Sequence, residues 1–179
     1  MEFSVIFAGF GGQGVLFSGK ILAQAAMMAG KNVTWITSYG PEMRGGTANC
    51  SVKVSDKKIG APVISNPKVA VVMNRASFEK FAPRVEPDGL LIVNSSIVKD
   101  VEYPPDVDAV IIPANEIAHE IGADGAANMV VLGALIEKTN ILTKEEVFAA
   151  IDEIVGEKRP QLIPLNQKAV EAGINYASK

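Results

Sequence analysis

The sequence predicts an α/β fold in which a mostly parallel sheet is packed between two layers of helices. Apolar runs of strand length alternate with segments of helical periodicity up to residue 112, as in such folds. A glycine-rich turn, Gly9-Phe10-Gly11-Gly12-Gln13-Gly14, joins the first apolar run to the first helical segment. A strand, a G-x-G-x-x-G turn and a helix in this order form the first half of a Rossmann-like βαβ unit. We therefore expect a three-layer αβα sandwich.

Apolar periodicity and turn residues define the individual elements. Strands are predicted at Phe3–Ala8, Asn32–Ile36, Thr47–Val54, Lys68–Met73, Gly89–Val93 and Val107–Ile112. Helices are predicted at Val15–Met28, Ser77–Phe81, Asn115–Ile121, Asn128–Lys138, from the cap at Thr143 to about Val155, and at Leu165–Gly173. The last helices form a helical C-terminal tail.

Two local patterns add detail to this fold. Apolar and polar residues alternate from Thr47 to Val54, and Ser55-Asp56-Lys57-Lys58 before Ile59 is typical of a turn. This predicts an antiparallel hairpin, with one buried face, added at one side of the sheet. Thr143 and Glu146 have the spacing of a capping box at the start of a helix.

Length and composition favour a single domain over residues 1–179. The chain has 48% hydrophobic residues and a net charge of −3, without internal repeats or a low-complexity linker. Lysine and arginine are scattered along the sequence, which argues against a nucleic-acid partner. The strand pattern starts directly after Met1-Glu2, and the apolar stretches are too short or too interrupted to span a membrane. We expect a soluble, cytoplasmic protein.

The single cysteine, Cys50, limits the redox chemistry of the chain. One cysteine cannot form an internal disulfide, and alone it cannot hold an iron-sulfur cluster or a zinc ion. Cys50 lies on the apolar side of an alternating strand, so we interpret it as a core residue. We predict no metal site in this chain and assign any metal or cluster to another chain.

The glycine-rich turn is the first candidate binding site. Gly9, Gly11 and Gly14 permit a tight turn and close approach of a ligand, and the following helix presents unpaired N–H groups. Gly12 adds another position without a side chain, and the side-chain amide of Gln13 can form a hydrogen bond with the same ligand. The alternative is a purely structural turn from strand to helix. Strand Asn32–Ile36 lacks the acid that would bind an NAD ribose, and no lysine of the phosphate-binding G-K-[ST] type follows Gly14.

The second candidate is the segment after the second strand, at the end of the sheet where open α/β folds bind ligands. We expect this segment to share a crevice with the glycine loop and to contact partner chains. The alternative interpretation of this segment is a solvated loop with a surface ion pair between Glu42 and Arg44. The segment consists of Ser38, Tyr39, Gly40, Pro41, Glu42, Met43, Arg44, Gly45 and Gly46.

Other polar residues are weaker candidates. His119, the only histidine, is interpreted as a surface residue, and Asn128 as the N-cap of its helix. Asn74-Arg75 and Asn94-Ser95-Ser96 each follow a predicted strand, so they either face the crevice or form solvated turns. We find neither a G-x-S-x-G elbow nor an H-E-x-x-H motif, and we predict no catalytic residue in this chain.

Three segments together resemble the gamma subunit of 2-oxoacid:ferredoxin oxidoreductases. They are Gly9–Gly14, the run from Thr34-Trp35 through Ser38–Gly46 to Cys50, and Asn128-Met129-Val130-Val131-Leu132-Gly133. The middle motif is more similar to the 2-oxoglutarate and branched-chain 2-oxoacid members than to the pyruvate members. The resemblance covers nearly the whole chain.

This resemblance implies a multi-subunit enzyme that converts a 2-oxoacid and coenzyme A into acyl-coenzyme A, carbon dioxide and reduced ferredoxin. It places thiamine diphosphate and the iron-sulfur clusters on partner subunits, with coenzyme A as cosubstrate. The implied partners are the alpha and beta subunits, with a delta subunit left open, and ferredoxin through the complex. For this chain the resemblance implies docking by Ser38–Gly46 and, as a second hypothesis, coenzyme A contact by Gly9, Gly11, Gly12, Gln13 and Gly14.

Three other functions stay open on the sequence. The chain could be a stand-alone Rossmann-like nucleotide-binding or regulatory module, or a scaffold that only holds its partners together. It could also be a subunit of an indolepyruvate-type oxidoreductase, which shares the G-G-Q-G turn.

Overall fold

A six-stranded sheet forms the centre of the computed structural model, which describes residues 1–38 and 47–179. The strands are β1 (Glu2–Phe10), β2 (Asn32–Ser38), β3 (Thr47–Ser55), β4 (Val69–Val72), β5 (Gly89–Asn94) and β6 (Val107–Ile112). They lie in the order β2-β3-β1-β4-β5-β6. Neighbours from β1 to β6 pair in parallel, whereas β3 pairs antiparallel with both β1 and β2. Five strands therefore point the same way and only β3 opposes them.

Helices cover the two faces of this sheet unequally. They are α1 (Val15–Met28), α2 (Arg75–Phe81), α3 (Ala114–Glu120), α4 (Ala127–Thr139), α5 (Lys144–Gly156) and α6 (Ile163–Ala177). One face buries Val5, Phe7 and Val52 against residues of α1 and α3 to α6. The other face buries Ile6 and Ala8 in a smaller cluster that includes residues of α2. Alternation of side chains along each strand supplies both cores, so the predicted three-layer αβα sandwich is confirmed.

The C-terminal tail depends on one close helix crossing. The residues of α4 from Ala127 to Ile136 are buried on all sides, as the run of apolar residues predicts. A Cβ atom at Gly133 would collide with the Val170 carbonyl oxygen, and one at Gly173 would collide with the Val130 carbonyl oxygen. The two backbones thus touch directly, and α4 and α6 can pack this closely only because both positions lack a side chain.

The predicted antiparallel hairpin is present, but its strands differ from those expected. β2 and β3 form the antiparallel pair at one side of the sheet, and β3 pairs along its other edge with β1. The chain after Ser55 does not return as a strand, and residues 56–68 are irregular. Gly60 and Pro62 are poor strand formers, which explains why Ile59 starts no ladder.

The remaining elements follow the predictions closely. The bounds of α1 and β6 are those predicted, and the capping box at Thr143 and Glu146 is formed. The final helix is longer than the predicted Leu165–Gly173 at both ends, because it runs from Ile163 to Ala177. No helix within residues 1–38 and 47–179 is long and apolar enough to cross a membrane.

Candidate functional site

The carboxyl edge of the sheet places Ser38, the first residue of the second predicted segment, on the same side of the molecule as the glycine loop. Ser38 at the end of β2 pairs with Asn49, Asn49 pairs with Ala8, and the glycine loop starts at the next residue, Gly9. Two strand spacings separate Ser38 from Ala8, a distance of about 10 Å. Residues 39–46, which contain the rest of the predicted docking segment, lie outside the described residues, so their predicted contacts stay predictions.

The side chain of Gln13 fixes the shape of the glycine loop through two hydrogen bonds. Its Oε1 accepts a hydrogen bond from the Phe10 amide at 2.7 Å, and its Nε2 donates to the Met73 carbonyl at 3.1 Å. Met73 in turn donates its amide to the Ala8 carbonyl at 2.9 Å. Both ends of the Gln13 amide are therefore engaged within the chain, and this side chain ties the loop between β1 and α1 to the residue after β4.

The glycines of the loop divide into two kinds. A Cβ atom at Gly9 would lie 2.6 Å from Gln13 Oε1 and 3.0 Å from Met73 Cβ, and a Cβ atom at Gly14 would collide with the Asn128 amide. These two glycines are required by packing. Gly11 and Gly12 have no atom of the described residues within 4 Å of the Cβ position. Gly12 has a φ of 90°, which favours glycine on backbone grounds, but neither packing nor a positive φ accounts for Gly11.

The N-terminus of α1 lies directly behind this open stretch of backbone. No side chain in the described part of the chain caps the helix, whose N-cap residue is Gly14 with a φ of 74°. The first-turn N–H groups and the positive end of the helix dipole are the groups that bind anionic oxygens in other proteins. The loop thus combines an uncapped helix start with two open glycines.

Asn128 fixes the other side of the loop and does not cap its own helix as predicted. Helix α4 starts at Ala127 with Ala126 as its N-cap residue. The Asn128 Nδ2 instead donates to the Gly14 carbonyl at 3.1 Å. Ser18 Oγ lies 3.3 Å from the same carbonyl and 3.1 Å from the Asn128 carbonyl. Because α4 already starts at Ala127, Asn128 lies inside the first turn and cannot be its N-cap residue; its Nδ2 instead satisfies the partly buried Gly14 carbonyl.

Two buried asparagines occupy similar positions at the ends of adjacent strands. Asn94 is fully engaged: its Nδ2 donates to Asn115 Oδ1 at 2.8 Å and its Oδ1 accepts from the Ala114 amide at 3.1 Å. Asn74 Oδ1 caps α2 by accepting from the Ser77 amide at 2.8 Å. Asn74 Nδ2 and Ser77 Oγ are buried and have no partner among the described residues.

These positions settle part of the question left open for Asn74-Arg75 and Asn94-Ser95-Ser96. Ser95 and Ser96 lie in a turn after β5, and a contact with the crevice stays a prediction. Asn74 and Asn94 are buried, so neither belongs to a solvated turn. Arg75 is exposed and pairs with Glu79, its Nε lying 3.0 Å from a carboxylate oxygen. A buried asparagine that follows a strand and precedes a helix by one residue is a capping signal, and it could have been found in the sequence at Asn74.

Cys50 and His119 have the surroundings predicted for them. Cys50 is fully buried beside Trp35 and Gly19, and this burial raises the pKa of its thiol to about 12. His119 is exposed, with its Nδ1 2.9 Å from an Asp124 carboxylate oxygen, and this hydrogen bond raises the pKa of the imidazole. Within the described residues no three acidic, histidine or cysteine side chains are grouped for a metal ion.

The described part of the carboxyl edge therefore offers hydrogen-bond donors. It presents backbone N–H groups at the start of α1 and open glycine backbone at Gly11 and Gly12. Such groups bind oxygen acceptors such as phosphates, carboxylates and carbonyls.

Known proteins match this chain over nearly its whole length. A family model described as pyruvate ferredoxin/flavodoxin oxidoreductase matches residues 4–176. The ketoisovalerate oxidoreductase subunit VorA of Methanothermobacter marburgensis is 37% identical over 178 residues, which are 99% of this chain. The 2-oxoglutarate synthase subunit KorC of Methanocaldococcus jannaschii is 36% identical, over 84% of this chain and 82% of the relative. The chain spans only 37% of the length of VorA.

Solved structures share the fold. The gamma subunit of a keto/oxoacid ferredoxin oxidoreductase from Geobacter sulfurreducens superposes with a TM-score of 0.85 at 27% identity, over 98% of both chains. A 2-oxoglutarate:ferredoxin oxidoreductase from Magnetococcus marinus, solved with 2-oxoglutarate, coenzyme A and succinyl-CoA bound, gives a TM-score of 0.88 at 26% identity. That match covers 99% of this chain and 31% of the other. On the family match and the KorC relationship together, the chain belongs to the pyruvate ferredoxin/flavodoxin oxidoreductase family.

Proposed function

We propose that this chain is the gamma subunit of a multi-subunit 2-oxoacid:ferredoxin oxidoreductase. The assembled enzyme converts a 2-oxoacid and coenzyme A into acyl-coenzyme A, carbon dioxide and reduced ferredoxin. The observation that carries the proposal is the superposition of a gamma subunit over 98% of both chains. VorA and KorC are named for different 2-oxoacids at nearly equal identity, so the proposal is made for the class of 2-oxoacids.

In this proposal the redox chemistry belongs to the partner subunits. An iron-sulfur cluster is held by several cysteine thiolates, whereas this chain has one cysteine with a raised pKa in its core. The residues of this chain therefore do not fit a cluster. We assign the clusters and thiamine diphosphate to the alpha and beta subunits, with a delta subunit as an open component, and we assign no catalytic residue to this chain.

The glycine loop is the proposed contact with coenzyme A. Coenzyme A carries phosphate groups, whose anionic oxygens suit the uncapped N-terminus of α1. Gly11 and Gly12 leave the backbone accessible, while Gln13 and Asn128 hold the loop in this shape. The Magnetococcus marinus relative was solved with coenzyme A bound, which makes coenzyme A the ligand to test first.

Ser38–Gly46 is the proposed docking segment for the partner subunits. The segment starts about 10 Å from the glycine loop along the same sheet edge, so partner chains docked there would come close to the ligand. Arg44 and Glu42 supply opposite charges for such a contact. The cytoplasm is the proposed compartment of the complex, and residues 1–179 are proposed to act as one domain.

Copurification from the native source tests this function. We expect a tagged form of this chain to bring down a subunit that binds thiamine diphosphate and one that carries iron-sulfur clusters. Replacing Arg44 with alanine should reduce their recovery, because the substitution removes a charge from the proposed interface. Recovery of the chain alone at low salt would contradict the proposal. In that case a thermal-shift screen with nucleotides and coenzyme A would examine the stand-alone binding module.

A further inference from the structure

A cavity of about 620 Å³ lies between α1, the last turn of α5 and the start of α6. This volume is in the range of small-molecule binding sites. Part of the lining is apolar, because Phe17, Ile154 and Leu162 are partly buried and pack against the main core. These three residues give the cavity an anchored apolar wall, of the kind that packs against a flat ring system.

Positively charged side chains lie around this apolar wall. Lys20 on α1 and Lys158 and Arg159 in the turn after α5 are exposed and line the cavity. The ion pairs between described residues involve other cations. Glu153 and Glu157 line the same cavity at the end of α5. Three cations against two carboxylates leave a net positive charge, which favours an anionic ligand.

The cavity opens at the same end of the molecule as the glycine loop. Helix α1 starts at the carboxyl edge of the sheet, and Lys20 lies about 9 Å along it from Gly14. Helix α5 starts at the opposite edge, where Lys144 and Lys31, the residue before β2, line a common cavity. The last turn of α5 therefore returns to the carboxyl edge. The glycine loop and the three cations are near enough for one ligand of nucleotide size to contact both.

Coenzyme A combines the groups that this arrangement suits. Its adenosine end joins a flat ring system to a 3′-phosphate, and a pyrophosphate links this end to the arm that carries the thiol. The N–H groups at the start of α1 suit the pyrophosphate. The cavity supplies what the rest of this end needs, an apolar wall for the ring system and cations for the 3′-phosphate.

We propose that the cavity binds the adenosine end of coenzyme A. Lys20, Lys158 and Arg159 contact its 3′-phosphate, while the glycine loop contacts its pyrophosphate. The inference rests on the proposed function and deepens it, because it names residues of this chain that recognise the part of the cosubstrate remote from the thiol.

Kinetics with two forms of the cosubstrate test this contact. Lys20→Gln and Arg159→Gln should each raise the coenzyme A concentration needed for half-maximal activity of the assembled enzyme by about tenfold. With 3′-dephospho-coenzyme A the same substitutions should have little effect, because the phosphate that these side chains contact is already absent. Lys58→Gln, at an exposed position in the irregular segment after β3, is the matched control and should behave like the wild type. Equal losses with both forms of the cosubstrate, or a loss with neither, would overturn the inference.

Binding to the full chain gives a readout that does not depend on activity. Adenosine 3′,5′-bisphosphate should raise the melting temperature of the chain, and the double variant Lys20→Gln, Arg159→Gln should remove this increase. A larger increase with ATP than with the bisphosphate would show that a free nucleotide, and not coenzyme A, occupies the cavity. An assembled enzyme that needs coenzyme A but is indifferent to these substitutions would remove this inference alone. An assembled enzyme without coenzyme A-dependent activity would remove the proposed function as well.

Discussion

The side chain of Asn128 donates a hydrogen bond to the carbonyl of Gly14, 114 residues earlier in the chain, over 3.1 Å. This contact joins the start of the most buried helix to the end of the glycine loop. It leaves no room for a side chain at Gly14, whose positive φ already favours glycine. The glycine loop and the start of α4, which both resemble the gamma subunit family in sequence, are thus held together by a direct contact.

We expect Asn128→Asp to destabilise the protein by about 2 kcal/mol, because it replaces the donor with a carboxylate facing a carbonyl oxygen. Urea unfolding measures this as a lower midpoint with an unchanged slope. Asn175→Asp, at an exposed position on α6, is the control and should change stability by no more than about 0.5 kcal/mol. Equal midpoints for the two variants would show that the Asn128 contact contributes nothing.

Alanine at Gly133 or Gly173 should destabilise the protein by about 3 kcal/mol or more, because the new methyl group meets a carbonyl oxygen of the facing helix. Gly156→Ala is the matched control. Its Cβ would lie 3.6 Å from Ile163 Cδ1, an ordinary contact, and alanine is the better helix former by about 0.5 to 1 kcal/mol. Thermal unfolding of the three variants should therefore give two lower melting temperatures and one equal or higher. A stable Gly133→Ala protein would contradict the close crossing of α4 and α6.

Ser77→Ala should leave stability unchanged or raise it, since it removes a buried hydroxyl that has no partner among the described residues. Asn74→Ala should lower stability by about 1 kcal/mol, because it removes the cap of α2. Chemical denaturation of both variants gives the comparison. A loss of stability in Ser77→Ala similar to that in Asn74→Ala would indicate that the hydroxyl has a bound partner, such as an ordered water.

Gly11→Val should raise the coenzyme A concentration needed for half-maximal activity of the assembled enzyme by about tenfold, a loss of about 1.4 kcal/mol in binding. The reason is that the new side chain projects from the open loop, where no atom of residues 1–38 and 47–179 lies within 4 Å of its Cβ. Gly60→Val, at another glycine with open space around it, should behave like the wild type. Subunit assembly should be unchanged in both variants. An unchanged coenzyme A requirement in Gly11→Val would argue that the loop is only a structural turn.

His119 should titrate above the ordinary histidine pKa of about 6.5, because Asp124 stabilises the charged imidazole. A raised folded-state pKa means that this pair stabilises the fold at low pH and that the effect is lost as the pH rises through the folded pKa. His119 is the only histidine, so its NMR titration is unambiguous. Asp124→Asn should lower the pKa, and its melting temperature should differ from that of the wild type more at pH of about 5.5 than at about 8.5. Identical His119 titrations in the wild type and in Asp124→Asn would show that the His119–Asp124 pair is not formed in solution.

Local signals in the sequence predict most elements of the fold but only part of its pairing. The bounds of α1 follow from the glycines before it and its apolar spacing, and the capping box at Thr143 follows from two residues three apart. The place of β3 between β2 and β1 depends on contacts between distant residues, which no local pattern specifies.

The same limit applies to the candidate site. The glycines are visible in the sequence, but the roles of Gln13 and Asn128 are not. Gln13 contacts Met73 and Asn128 contacts Gly14, and each of these partners is distant in the sequence. Asn128 was predicted as a cap because asparagine before an apolar helix usually caps it. The helix starts one residue earlier than predicted, and the Asn128 Nδ2 donates to a carbonyl that only the folded chain places nearby.

Ferredoxin reduction by the reconstituted subunits is the most direct test of the central claim, that this chain binds and positions while its partners perform the redox chemistry. We predict no reduction by this chain alone. With the partner subunits alone we predict little or none, and with all subunits together we predict 2-oxoacid- and coenzyme A-dependent reduction. Turnover of a 2-oxoacid by this chain alone, or full activity of the partners without it, would contradict the account.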